Sequence, residues 1–165
     1  MKPLLVPALL LALSFQVVAL PLYRIGPIGP DFLLILVAYV AAFDRPRRAL
    51  VFASAVGLLA DALSADPWGT RAIGYLAPWG IFRLAGGSGW TEDAIPRAIL
   101  LALATSTCGA ARLILLSLVG EPPAPLDFKV MAGMALYNAF LGLAVFRLLD
   151  PFRARIVVPA RRFPA

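Results

Sequence analysis

The sequence predicts an all-α fold: a polytopic transmembrane bundle of about six helices in a single membrane domain, residues 1–152, followed by a basic tail, 153–165. Three observations predict it. Apolar residues make up 61% of the 165 and charged residues 15%, whereas a soluble domain is nearer half apolar and about a quarter charged. The apolar residues fall in long runs, separated by Pro/Gly-rich or Arg-bearing breaks. At about 20 residues per crossing, the chain has room for about six crossings and little else.

Composition also excludes functions. Cys108 is the single cysteine, so no disulfide forms within the chain and one thiol makes no metal cluster. Histidine, the commonest metal ligand and general base, is absent. The net charge of +6 comes from arginines that flank apolar runs. That placement marks membrane topology, not a nucleic-acid surface. No cofactor, metal site or catalytic residue is expected.

The first helix is placed at about 4–22. Lys2 and the uncharged run Pro3 to Tyr23 also fit a signal peptide, with Val17-Val18-Ala19 as a poor cleavage site. The run is long enough to span, however, and further spans follow. Ala8 and Ala12 form a small-xxx-small pair that admits another helix closely, or simply reflect how common alanine is here. Arg24 to Pro30 has two Gly-Pro steps and reads as a loop. Asp31 then caps a second helix, 31–43, where a carboxylate suits the free N–H groups and the positive dipole end. At 1.5 Å per residue its 12 apolar residues cover only about 18 Å, short for a span.

Asp44 to Arg48 (DRPRR) is the strongest topology mark and belongs in the cytoplasm. The third helix, 49–64, carries Asp61 inside an apolar run. A carboxylate at membrane depth is expensive and needs a partner. Gly57 lies one turn earlier on the same face, so another backbone can pack close to it. Asp66-Pro67-Trp68-Gly69 then breaks the helix: proline cannot continue it, and glycine supplies unusual backbone angles. The fourth helix, 70–84, should kink at Pro78. Gly86-Gly87-Ser88-Gly89 is a flexible link, and Thr91 and Glu92 offer a start for a fifth helix, 95–119.

Arg112 lies 15 residues after Arg97, about 22 Å along that helix, a depth similar to that of Asp61. A buried Asp61–Arg112 pair is one reading; Arg112 snorkelling to the far interface is the other. Five polar positions fall at membrane depth: Asp61, Arg112, Asn138, Ser106 and Thr107. Glu121 to Leu126 is a proline-rich loop. The sixth helix, 130–149, has Asn138 near its middle, where an amide seeks a partner on another helix. With DRPRR inside, both termini are cytoplasmic, and Lys2, Arg83, Arg97 and the tail arginines fall on that side. The tail can touch anionic lipid. No activated nucleophile, paired carboxylates or metal set is visible, so the chain reads as no enzyme.

From Gly57 to Tyr75 (GLLADALSADPWGTRAIGY) the chain resembles the MreD family of bacterial rod shape-determining membrane proteins. Gly57, Leu58, Leu59, Asp61, Pro67, Gly69, Ala72 and Tyr75 stand in the places of that family's pattern. Pro30-Asp31-Phe32-Leu33-Leu34 and Tyr137-Asn138-Ala139 are similar to its other motifs, while 121–126 and 153–165 match none of them. The resemblance implies a multi-pass protein of the bacterial inner membrane that scaffolds cell elongation without catalysis. Its partner would be an MreC-like single-span protein. Through that partner it would meet MreB, RodA and the RodA-associated transpeptidase, and help position peptidoglycan synthesis. Gly57, Asp61, Pro67 and Gly69 would shape the helix break. An alternative is the substrate-binding component of an energy-coupling-factor vitamin transporter, whose fold the MreD fold is thought to resemble. In those proteins an Ala-x-x-x-Ala pair such as Ala8/Ala12 docks the transport module. A vitamin site, however, wants several convergent polar groups.

Overall fold

The computed structural model describes residues 3–19, 25, 28–64, 67–86, 90–120 and 128–157, and these are helical, with no strand among them. Helix α1, Leu5–Ser14, runs on as a π-helical turn, Phe15–Ala19. Then come α2 (Phe32–Phe43), α3 (Pro46–Ala62), α4 (Thr70–Gly74), α5 (Leu76–Ala85), α6 (Ala94–Val119) and α7 (Phe128–Leu149). A 3-10 turn, Asp150–Phe152, leads into α8, Arg153–Ile156. Two segments, Ala94–Val119 and Phe128–Ile156, are long and apolar enough to cross a membrane; Leu5–Val18 and Phe32–Phe43 are apolar but shorter.

Helix α2 is the axis of the bundle. From Leu33 to Ala41 every side chain is buried, and α1, α3, α5, α6 and α7 all pack on it. A helix that is apolar all round has this as its stable place. Its lower half joins Tyr39 and Phe43 to Phe82 of α5, Leu101 of α6 and Phe146 of α7. Tyr39 meets Phe146 edge-on at 5.0 Å. Its upper half packs Leu33, Leu34 and Val37 on Ala53, Val56 and Ala60 of α3 and on Tyr75. Helices α6 and α7 form the most extensive pairing and outreach α2. Their outward stripes are apolar: Ile99, Leu103, Ile114 and Leu118 on α6, and Leu136 and Phe140 on α7, are exposed.

Several boundaries differ from expectation for local reasons. Helix α3 begins at Pro46, because proline suits the first helical position; Arg47 and Arg48 therefore belong to a helix and not to a loop. The expected 70–84 helix does not kink at Pro78 but divides at Tyr75, into α4 and α5. Pro78 has no N–H for the carbonyl of Gly74, so the ladder fails one turn ahead of the proline. Asp93, not Thr91 or Glu92, precedes α6. The tail is not free from 153 onward, since Ile156 and Val157 are buried in the lower core and Leu4 N–H donates to the Arg155 carbonyl (3.4 Å). The end of the expected first helix (20–22), Asp66, the 87–89 link, the 121–126 loop and the tail beyond 157 lie outside the described residues.

Candidate functional site

The helix break is built on Asp61. Near the C-terminal end of α3 a carboxylate faces the wrong pole of its own helix. It turns instead to the start of α4. One oxygen accepts from the Arg71 N–H (2.7 Å); the other accepts from Gly69 N–H (3.0 Å) and Ala72 N–H (3.2 Å). These are donors that a helix leaves unpaired at its first turn. Gly69, the N-cap, has no side chain to serve them, and its φ of +94° lies where glycine is favoured. Thr70 N–H closes the preceding turn on the Pro67 carbonyl (3.2 Å). Asp61, only 2% exposed, is thus a capping residue borrowed from the helix before.

Gly57 sets the approach. A Cβ there would lie 2.4 Å from Ala72 Cα and 3.0 Å from the Arg71 carbonyl oxygen, both backbone atoms. With glycine, α3 and α4 touch backbone to backbone, one turn below the carboxylate. On the opposite side, Gly74 packs on α6, where a Cβ would sit 2.8 Å from Cys108 Sγ.

A second polar node crowns α2. Asp31 accepts from Leu34 N–H at 2.9 Å, the expected cap. The Tyr75 hydroxyl donates to the same carboxylate, 2.9 Å from each oxygen. Asp31 N–H donates to Asn138 Oδ1 (2.8 Å), and Phe32 N–H to Gln16 Oε1 in the π-helical turn of α1 (2.9 Å). Asn138, fully buried, donates through Nδ2 to Thr105 Oγ1 (3.2 Å), whose hydroxyl donates to the Leu101 carbonyl (2.9 Å). Gln16 of the π-helical turn of α1, Tyr75 and Asn138 of α7 therefore converge on the start of α2, with Thr105 of α6 behind Asn138. Short α4 joins the two nodes, held by Asp61 at one end and by the neighbouring Tyr75 at the other.

A third cluster closes the opposite end. Arg97 is buried, donates to the carbonyls of Thr91 (2.9 Å) and Glu92 (3.0 Å), and pairs with Asp150 at 3.3 Å. Its guanidinium lies 4.9 Å from the Phe146 ring centroid. Arg153 covers Phe43 at 3.6 Å and pairs with Glu92 at 3.5 Å. Arg83 donates to the Asp44 carbonyl. Arg97, the buried cation of this end, is thus both paired with a carboxylate and stacked on a ring, as a desolvated arginine must be.

The structure brings Gly57, Asp61 and Gly69 together, with Pro67 in the turn between them, and joins Asp31 to Asn138. It does not bring Arg112 to Asp61: the carboxylate is filled by backbone N–H groups, and the Arg112 side chain is exposed. Thr107 is exposed and bonds back to the Leu103 carbonyl (2.8 Å) within its own helix. Gln16, Thr105 and the Tyr75 hydroxyl are the functional polar groups missed from sequence. Thr105 sits one residue before two polar residues of the same helix, and only the position of Asn138 singles it out. Among the described residues no three His, Cys, Asp or Glu side chains could hold a metal.

No family model, curated protein or solved structure matches the chain.

Proposed function

We propose that this chain is a non-catalytic scaffold of the bacterial inner membrane, an MreD-like component of the cell-elongation machinery. It spans the membrane six times with both termini in the cytoplasm. It holds an MreC-like single-span partner and so links MreB filaments to RodA and its transpeptidase. The observation that carries the reading is convergence. The positions of the family-like motifs are those that meet in space: Gly57, Asp61, Gly69 and Ala72 at the first node, and Asp31, Tyr75 and Asn138 at the second. The apolar outward stripes of α6 and α7 favour a lipid surround. The described arginines at the lower end favour the cytoplasm for that end: Arg45, Arg47, Arg48, Arg83, Arg97, Arg147, Arg153 and Arg155, against Asp44, Glu92, Asp93 and Asp150. Because the polar groups of both nodes are spent on the fold itself, the reading is a scaffold and not a reaction centre.

The vitamin-transporter reading keeps one specific observation: Ala8 and Ala12 both line an open groove. The test is gentle extraction of the tagged chain from its own host and native mass measurement of what accompanies it. A single-span partner supports the scaffold. A vitamin-sized ligand or an ATPase-linked module overturns it.

A further inference from the structure

We propose that the groove between α1 and α7 is a binding site for one acyl chain of an anionic phospholipid of the cytoplasmic leaflet. The inference rests on the membrane reading above but not on the identity of any protein partner. Helix α1 packs on α2 and α8 and leaves between itself and α7 an apolar groove of about 320 Å³. Its walls are Ala8 and Ala12 of α1, Phe32 and Leu36 of α2, and Leu141 and Val145 of α7. The two alanines make the depth, since any larger side chain there would fill it. Leu11 and Leu148 on its lips are exposed, so it opens sideways, where a lipid tail enters.

Its length selects the occupant. Phe15, Pro30 and Tyr137 line its upper part, at the level where Asn138 meets Asp31. From there to Leu149 is 12 residues of α7, about 18 Å at 1.5 Å per residue. The hydrocarbon of one leaflet is about 15 Å deep, half of the ~30 Å core. A partner's transmembrane helix would need the full depth of about 30 Å, more than the lined length of the groove offers.

Charge selects the headgroup. Leu4 lies one turn below Ala8 on the same face of α1, and its N–H is bonded to the Arg155 carbonyl. Helix α8 therefore runs from the foot of α7 to the foot of α1 and crosses the lower end of the groove. Arg155 is exposed on it, whereas Arg153 is taken up by Glu92 and the Phe43 ring. A chain lying in the groove from below would present its phosphate to the Arg155 guanidinium.

The test is purified full-length chain, equilibrated in mild detergent with equal phosphatidylglycerol and phosphatidylcholine and read by native mass spectrometry. One retained phosphatidylglycerol per chain is expected. Arg155→Gln should cut the preference over phosphatidylcholine by about fivefold, the effect of one basic residue at an anionic surface. Ala12→Phe should abolish retention, and Ala8→Leu repeats that test lower in the groove if the larger ring prevents folding. Undiminished retention in the filled-groove variants, an unchanged preference in Arg155→Gln, or equal retention of the two lipids overturns the proposal. So does loss of a co-purified single-span protein from Ala12→Phe with lipid retention intact, which assigns the groove to a helix. A chain that stays in aqueous solution without detergent would instead refute the membrane reading beneath it.

Discussion

Replacing Asp61 by leucine keeps the volume and apolarity of its surroundings but leaves the N–H groups of Gly69, Arg71 and Ala72 without their acceptor. A buried donor left unpaired costs about 1–3 kcal/mol, so three could cost up to about 9. Removing the carboxylate also recovers its desolvation cost, which brings the net to the low end, about 3 kcal/mol. For a chain of this size each kcal/mol lowers the melting temperature by about 2–4 °C, so Asp61→Leu should melt about 6–12 °C below the parent in the same detergent. Asp61→Asn is the sharper probe. It keeps one acceptor oxygen and turns the other into a donor aimed at an N–H, so it should fall between parent and leucine variant. Amide exchange should accelerate first at Gly69, Arg71 and Ala72. A leucine variant melting within about 2 °C of the parent would mean a cost below ~1 kcal/mol and would refute the capping argument. An asparagine variant less stable than the leucine one would show that its amide N–H, set against the backbone donors, costs more than its remaining acceptor oxygen returns.

Gly57→Ala should destabilise by about 1–3 kcal/mol, the usual cost of overpacking, because its new methyl meets backbone and not a movable side chain. Combined with Asp61→Asn it should be non-additive in a thermal-melt cycle, since both act on one α3–α4 contact. Tyr75→Phe should lose about 1.5–3 kcal/mol, the range for a hydrogen bond to a charged group, read as a fall in melting temperature. Asn138→Leu should cost about 1–3 kcal/mol by orphaning Asp31 N–H, with faster exchange of that amide as the specific readout. A charge-swap cycle between Asp61 and Arg112 should be additive to within about 0.5 kcal/mol, and a healthier double mutant would place the two in contact after all.

How much of this was legible depends on whether both halves of an interaction were side chains. The helix break was legible because proline and glycine act locally and because an aspartate inside an apolar helix announces a demand. Gly57 was legible too, from its place one turn before that aspartate. What answers the demand was not legible: the partners of Asp61 are backbone N–H groups, which every residue carries and no letter marks. Looking for a side-chain partner led to Arg112, a cation at a comparable distance along its helix but with its side chain exposed. Asp31 as a cap followed from the Pro-Asp start of α2. That Asn138, 107 residues away, would accept its N–H required the packing of α7 on α2. Arg97 looked like a topology charge and is a buried pillar, because the carbonyls, rings and carboxylate that hold it come from three separated stretches, 43, 91–92 and 146–150. The six helical regions themselves were visible from hydropathy, whereas the division at Tyr75 needed the missing proline donor to be followed one turn upstream.

The short central helix bears on how the chain is made. Residues leave the ribosome in order, and α2 emerges second, a helix of only about 18 Å that is apolar on every face. Its free amino-terminal amides need Gln16, already synthesised, and Asn138, which is not. Until 107 further residues have been added, Asp31 N–H has no Asn138 to receive it, and Tyr75 reaches the carboxylate midway through that interval. Biogenesis is thus locked from the far end: the last long helix completes the seat of the second. A chain interrupted after α6 keeps most of its hydrophobic mass and lacks that latch, a chemical difference between finished and unfinished copies.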